Sequence, residues 1–338
     1  MITVGIIGAG RIGRVHTQSI TTKVPNARIK TIADPFMNKD TEKWAKSMGI
    51  KNTTKDYKQI LKDKEIQAVL ICSSTDTHSK ISMEAIKAGK HVFCEKPIDH
   101  DVKKIKAVMD CLKKNPKVKY QVGFNRRFDH NFEAVRNAVK AGKIGKPQLI
   151  KITSRDPAPP GIDYIKVSGG IFLDMMIHDF DMVRYLAGCN ATEVYANGAV
   201  LVDPAIGKAG DIDTAIVTMK MENGALAVID NSRKAVYGYD QRAEVFGSKG
   251  MVMNANDSQS NIVIANECGV TGEKPLLFFL ERYMDAYAKE VKCFIDAIEK
   301  KTNTPLGVMD GLQPVLMGLA AKKSLKEHRP VKISEIKF

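Results

Sequence analysis

The chain has 338 residues, of which 44% are hydrophobic and 27% charged. That is enough for roughly two domains and is the balance of a folded globular protein, not of a disordered chain. No apolar run approaches the roughly 18 residues that span a bilayer, so an ordinary membrane protein is excluded. The formal net charge is +14, yet lysine supplies 40 of the 52 cations, spread through helix-like segments such as residues 55–64. A nucleic-acid face would gather arginines and aromatics instead, so no such partner is expected. Residues 1–124 hold 24 cations and 12 anions, an asymmetry that could steer an anionic cofactor.

The elements follow in chain order. Residues 2–7 are apolar and β-branched and predict a strand, without a cationic leader before it, so a cytoplasmic protein is expected. A helix is predicted over 11–23, a strand over 28–33, and helices over 41–48 and 57–62. Residues 68–72 form a short continuous apolar run, the pattern of a strand covered on both faces. A helix over 79–88, a strand over 91–94, a helix over 101–113 and a strand over 120–123 complete the first part. Repeated β-α-β units imply a doubly wound parallel sheet with right-handed crossovers.

The rhythm then changes, and the boundary is placed at 124/125. A helix over 131–141, a strand over 148–154 and a Pro-rich loop over 155–161 lead to one helix over 171–186. Strands follow over 193–200, 214–221, 225–232, 243–246 and 261–265, with turn signals at 222–224 and 247–250. They predict an open, mostly antiparallel sheet. Helices over 278–300 and 312–326 close the chain, the last able to pack back on the first domain. The fold class is therefore α/β plus α+β, with domains at 1–124 and 125–338. The six cysteines show no CxxC pair and no accompanying histidine spacing, so neither a zinc site nor a disulfide framework is expected and no metal is assigned. Cys72 and Cys94 read as small buried hydrophobes.

Gly8-Ala9-Gly10-Arg11-Ile12-Gly13 follows the first strand and opens a helix. Gly8 permits the tight turn, Gly10 lets a pyrophosphate approach the backbone, and Gly13 allows close helix–strand packing. The helix N-terminus offers free N–H groups to the phosphates. Asp34, 21 residues after Gly13, ends the second strand and can accept hydrogen bonds from an adenosine ribose diol. It would repel a 2′-phosphate, so NAD is expected over NADP. Ser73, Ser74, Thr75 and His78 lie where the 68–72 strand meets its helix. Their polar groups can bind ribose or nicotinamide, or simply cap the helix, and the two readings can coexist.

Glu95-Lys96-Pro97 follows the strand at 91–94 and so falls at the same carboxyl-end rim. A lysine there can bond a substrate hydroxyl or stabilise negative charge; it can equally be one more surface lysine. Asp174, His178 and Asp181 are spaced i, i+4 and i+7 and share one face if the helix over 171–186 is continuous. A carboxylate beside a histidine can set its tautomer and leave a ring nitrogen to take a proton; a buried structural pair reads the same way.

These motifs, with Gly123-Phe124-Asn125-Arg126-Arg127-Phe128-Asp129, resemble the glucose-fructose oxidoreductase/inositol dehydrogenase/rhizopine catabolism (Gfo/Idh/MocA) family. Ser154-Arg155-Asp156-Pro157, Gly170–Asp174, Ile177–Asp181 and Tyr237-Gly238-Tyr239-Asp240 look like its bacterial inositol 2-dehydrogenase subgroup. The resemblance implies an N-terminal Rossmann domain, a C-terminal open-sheet domain and a homotetramer assembled through those sheets. It implies NAD-dependent oxidation of myo-inositol to 2-keto-myo-inositol (scyllo-inosose). Carried over by position, Lys96 contacts the reacting hydroxyl, Asp174 orients substrate and histidine, and His178 is the general base. Gly8, Gly10, Arg11, Ile12, Gly13, Asp34, Ser73, Ser74, Thr75, His78, Glu95 and Lys96 hold the cofactor. Arg126, Asp156, Asp181 and Tyr237 line the polyol pocket. A dehydrogenase of another inositol or of glucose, and a non-catalytic NAD-sensing regulator, are the alternatives.

Overall fold

The computed structural model describes residues 1–337. The chain divides into two compact units. One comprises residues 1–128 with 284–315, and the other 129–283 with 316–337. Residues 125–338 read as one stretch in the sequence, whereas the structure returns 284–315 to the first unit. The penultimate helix, Met284–Glu299, thus lies wholly in the first unit, and the last, Val308–Glu327, has only its opening residues there.

The first unit is built on β1 (Ile2–Ile7), β2 (Ala27–Ala33), β3 (Asn52–Thr54), β4 (Ala68–Ile71), β5 (His91–Glu95) and β6 (Tyr120–Gly123). All are parallel, in the order β3-β2-β1-β4-β5-β6. Val4, Ile6, Leu70, Ile71 and Phe93 are fully buried, which is why these strands are apolar runs rather than alternations. Helix Met284–Glu299 sends Val291, Phe294 and Ile295 into the same core as Ile20, Val24 and Phe93. The strand order reverses between β1 and β4, and the carboxyl ends of such a switch point open a crevice for ligands.

The second unit is built on β7 (Pro147–Arg155), β8 (Ala191–Ala199), β9 (Thr214–Met221), β10 (Leu226–Ser232), β11 (Asp240–Gly247) and β12 (Gly250–Met253), with a separate hairpin of β13 (Val263–Asn266) and β14 (Gly269–Gly272) and a short β15 (Val331–Lys332). The large sheet runs β12-β11-β7-β10-β9-β8-β15. Only β7 and β10 pair in parallel; the rest are antiparallel. Alternation on β9 buries Ala215, Val217, Met219 and Met221 and exposes Ile216, so one face is core and the other open. Helix Ile177–Ala187 lies against β7 on the covered side. On the open side Met251, Phe246, Leu149 and Leu226 are paired strand to strand and each is at least 40% exposed.

Two predicted helices are broken. Residues 278–300 form Phe279–Arg282 and Met284–Glu299. Residues 171–186 form Ile171–Asp174 and Ile177–Ala187, because the Met176 N–H reaches back five residues to Ile171 O at 2.8 Å. That wide turn interrupts the 3.6-residue period. Asp174 therefore ends one segment and His178 lies near the start of the next, and the i, i+4, i+7 face argument does not hold for Asp174.

Candidate active site

In the first unit the carboxyl ends of β1, β2, β4 and β5 carry most of the expected cofactor residues. Gly8 has φ +104°, and a Cβ there would sit 2.5 Å from Cys72 O. A Cβ on Gly13 would sit 1.9 Å from Gly8 O, so the helix reaches the turn only because that side chain is hydrogen. Gly10 is different: a Cβ there would meet nothing within 4 Å. Gly10 is also the N-cap of helix Arg11–Lys23, which has neither a side-chain cap nor an acid in its first turn. An open backbone N-terminus with a positive dipole end fits a dinucleotide pyrophosphate. Arg11 and Ile12 begin that helix. Asp34 follows β2, with Oδ2 accepting from Ala9 N at 2.6 Å and Oδ1 from Phe36 N at 2.8 Å. Its carboxylate is thereby tied to the glycine turn.

The β4 exit and the β5 exit are stitched together from below. Ser74 is the N-cap of helix Thr75–Lys87 but its hydroxyl makes no cap bond, and the Ser73 and Thr77 hydroxyls pair at 2.7 Å. His78 is 2% exposed, with Nδ1 2.8 Å from Pro97 O and Nε2 2.9 Å from Ser73 O. Both nitrogens are engaged by backbone, so His78 ties the β4 exit to the turn after β5. Burial alone would lower its pKa; the Cys94 sulfur and the two carbonyls outweigh this and raise it to about 9. Lys96 is half-buried beside Glu95, whose Oε1 lies 2.6 Å from His16 Nε2. Arg126 lies in the 3₁₀ turn Asn125–Phe128 and is buried.

In the second unit the parallel strands β7 and β10 end side by side, and Asp156 N donates to Ser232 O while Asp156 O accepts from Ala235 N. Arg233, one residue past β10, is 1% exposed. Its Nη1 and Nη2 both lie 3.4 Å from Asp174 Oδ2, and Nη2 lies 3.7 Å from Asp211 Oδ2. The Tyr164 hydroxyl donates to Asp174 Oδ1 at 2.9 Å. Asp211 in turn accepts from Ile171 N, at the start of the Asp174 segment, and a Cβ on Gly170 would come within 2.7 Å of it. Asp174 is thus fixed by three elements. Asn231 donates to Asp179 Oδ2 at 3.0 Å, anchoring the helix that carries His178. Asp181 is buried and lies 3.6 Å from Arg184 of the same helix.

Tyr237 donates to Asp240 Oδ2 at 2.6 Å, and its oxygen accepts from Arg155 Nη1 at 3.3 Å. Burial pushes the Tyr237 hydroxyl up, and the bond to Asp240 adds to it. Burial would also raise Asp240, but donors from Arg242, Tyr237 and Asn256 hold it below the usual carboxylate range. Arg233, Asp211 and Tyr164 were not signalled by the sequence. Arg233 is one charge after a strand, and its partners Asp211 and Asp174 lie 22 and 59 residues back along the chain.

Residues 2–124 match the family described as "Oxidoreductase family, NAD-binding Rossmann fold", and residues 132–253 match "GFO/IDH/MocA C-terminal domain". The chain is 48% identical over 333 residues to the "Myo-inositol 2-dehydrogenase" of Thermotoga maritima, covering 98% of this chain and 99% of that one. It is 46% identical over 332 residues to the "Inositol 2-dehydrogenase" of Rhizobium meliloti, covering 98% of each. The crystal structure of a scyllo-inositol dehydrogenase from Lactobacillus casei with bound NAD(H) and scyllo-inositol superposes with a TM-score of 0.92 at 31% identity, covering 99% of each chain. With the glycine turn, the order of the parallel strands and the mixed sheet that follows them, these matches make the chain a member of the Gfo/Idh/MocA oxidoreductase family, with an NAD-binding Rossmann domain at its amino end.

Proposed function

We propose that this protein oxidises myo-inositol at one ring hydroxyl to 2-keto-myo-inositol (scyllo-inosose), with NAD⁺ as the electron acceptor. The observation that carries the reading is the 48% identity to a myo-inositol 2-dehydrogenase along nearly the whole of both chains. Gly8, Gly10, Arg11, Ile12, Gly13 and Asp34 would hold the pyrophosphate and adenosine ribose, and Ser73, Ser74, Thr75, Glu95 and Lys96 the nicotinamide end. When bound, the cofactor supplies the hydride acceptor. A ring nitrogen of His178 takes the hydroxyl proton as the carbonyl forms. Lys96 Nζ donates a hydrogen bond to the reacting oxygen, and Asp174 orients substrate and histidine. Arg126, Asp156, Asp181 and Tyr237 offer hydrogen bonds to the remaining hydroxyls. A site of this polarity rejects an analogue lacking one hydroxyl, because a buried group would be left unpaired.

The same reading takes the protein as a cytoplasmic homotetramer. The exposed row Met251, Phe246, Leu149 and Leu226 supports a second copy on the open sheet face, since apolar side chains in register are costly to leave in water. None of the six cysteines forms a disulfide, which fits a reducing compartment. No described helix is long and apolar enough to cross a membrane. The test is NADH formation by the purified protein with myo-, scyllo- and chiro-inositol and glucose. The highest kcat/KM is expected with myo-inositol; absence of turnover with every inositol would overturn the assignment. Scyllo-inositol is the second reading, favoured by the Lactobacillus casei enzyme.

A further inference from the structure

The first unit buries a cluster of titratable groups that the proposed chemistry does not use. His16 lies on helix Arg11–Lys23, Glu95 ends β5, and Glu290 lies on helix Met284–Glu299. One nitrogen or carboxylate oxygen from each lies within 4.8 Å of the other two. His16 and Glu290 are fully buried, and Glu95 is 8% exposed. His16 Nε2 is 2.6 Å from Glu95 Oε1, and its ring is held edge-on by Phe93 and Tyr287 at centroid distances of 5.0 and 5.6 Å. Glu95 Oε2 accepts from Lys96 N at 3.3 Å. Neither oxygen of Glu290 meets a hydrogen-bond donor.

The titratable groups facing Glu290 are His16, Glu95, Cys72 after β4 and Cys293 on its own helix. Of these, only His16 can carry a positive charge. Two carboxylates with one imidazole, away from water, cannot all be ionised without a large cost. Glu95 has an imidazole and an N–H to stabilise its anion; Glu290 has neither. Burial, then the Glu95 charge, pushes the Glu290 carboxyl far above its ordinary range.

We propose that Glu290 is a positioning residue, a neutral carboxylic acid packed beneath the Glu95–Lys96 turn whose proton leaves the His16–Glu95 pair intact and so holds the Lys96 backbone at the rim. An ionised Glu290 would repel Glu95 and compete for His16. The consequence for turnover rests on the assignment of Lys96 to the reaction; the charge state of Glu290 does not.

The test compares the whole protein with Glu290→Gln and Glu290→Leu, with active sites counted by NADH titration. The infrared difference spectrum of wild type minus Glu290→Gln should show the carbonyl stretch of a protonated acid, shifted in D₂O, at about pH 7. Absence of that band overturns the proposal, whatever the activity and whether or not the Leu variant folds. Glu290→Gln and Glu290→Leu are both neutral and neither breaks a hydrogen bond of the Glu290 side chain, so each should retain kcat per NADH-binding site within about twofold with KM for NAD held. A loss of about tenfold in kcat per site in the Gln variant, which is as neutral as the acid, also overturns it. If the wild type turns over no inositol, the functional assignment fails while the infrared band still decides the charge of Glu290.

Discussion

His78 links pH to the stability of the first unit. A neutral imidazole has one N–H and one lone pair, yet both His78 nitrogens face carbonyl oxygens, at 2.8 and 2.9 Å. One contact would oppose two lone pairs unless the ring is doubly protonated. Against the burial that lowers it, the Cys94 sulfur and the carbonyls of Pro97 and Ser73 raise the pKa from 6.5 to about 9. The folded pKa lies above the unfolded one, so the stabilisation is complete below about pH 6.5 and lost as pH rises through about 9. At about 1.4 kcal/mol per pH unit, the interval is worth about 3 kcal/mol. His78→Gln keeps an amide donor and removes the titration. Urea unfolding of both proteins, at one fixed protein concentration, should show their stability gap shrinking by about 3 kcal/mol between about pH 6 and about pH 9.5. A gap that stays constant over that range would refute the charged ring.

The other predictions concern the site and the sheet. Asp34→Ala removes a charge that would face a 2′-phosphate and should narrow the preference for NAD over NADP about tenfold, measured as a kcat/KM ratio; an unchanged ratio would place the ribose elsewhere. Arg233→Met leaves Asp174 and Asp211 without their shared cation and should destabilise by about 3 kcal/mol in denaturant titration, with kcat falling as well. A fully stable variant would show the contact to be idle. His178→Ala should bind NADH as wild type does and lose about 10²–10⁴ in kcat; undiminished turnover removes it as the base. The double variant Leu226→Asp with Phe246→Asp puts charge into the exposed row and should yield a smaller species by light scattering with NADH affinity unchanged. An unaltered mass would move the interface off this sheet face.

The sequence by itself determined whatever depends on a residue's own backbone or its immediate neighbours. Gly8, Gly10 and Gly13 were legible because a tight turn, an open approach and a close packing each demand a missing side chain at a set offset from the first strand. The parallel sheet was legible because strands buried on both faces must be apolar throughout, and β9 because its alternation runs without a break. The tertiary structure decided what joins distant parts of the chain. The wide turn at Met176 could not be read, since a continuous helix over 171–186 satisfies the same sequence pattern. Neither could the pairing of His16 with Glu95 across 79 residues, the hold of Arg233 on Asp174 across 59, or the return of residues 284–315 to the first unit. A lone charge beside a strand is the same symbol whether it faces water or a buried carboxylate; only packing removes the water and gives it a partner.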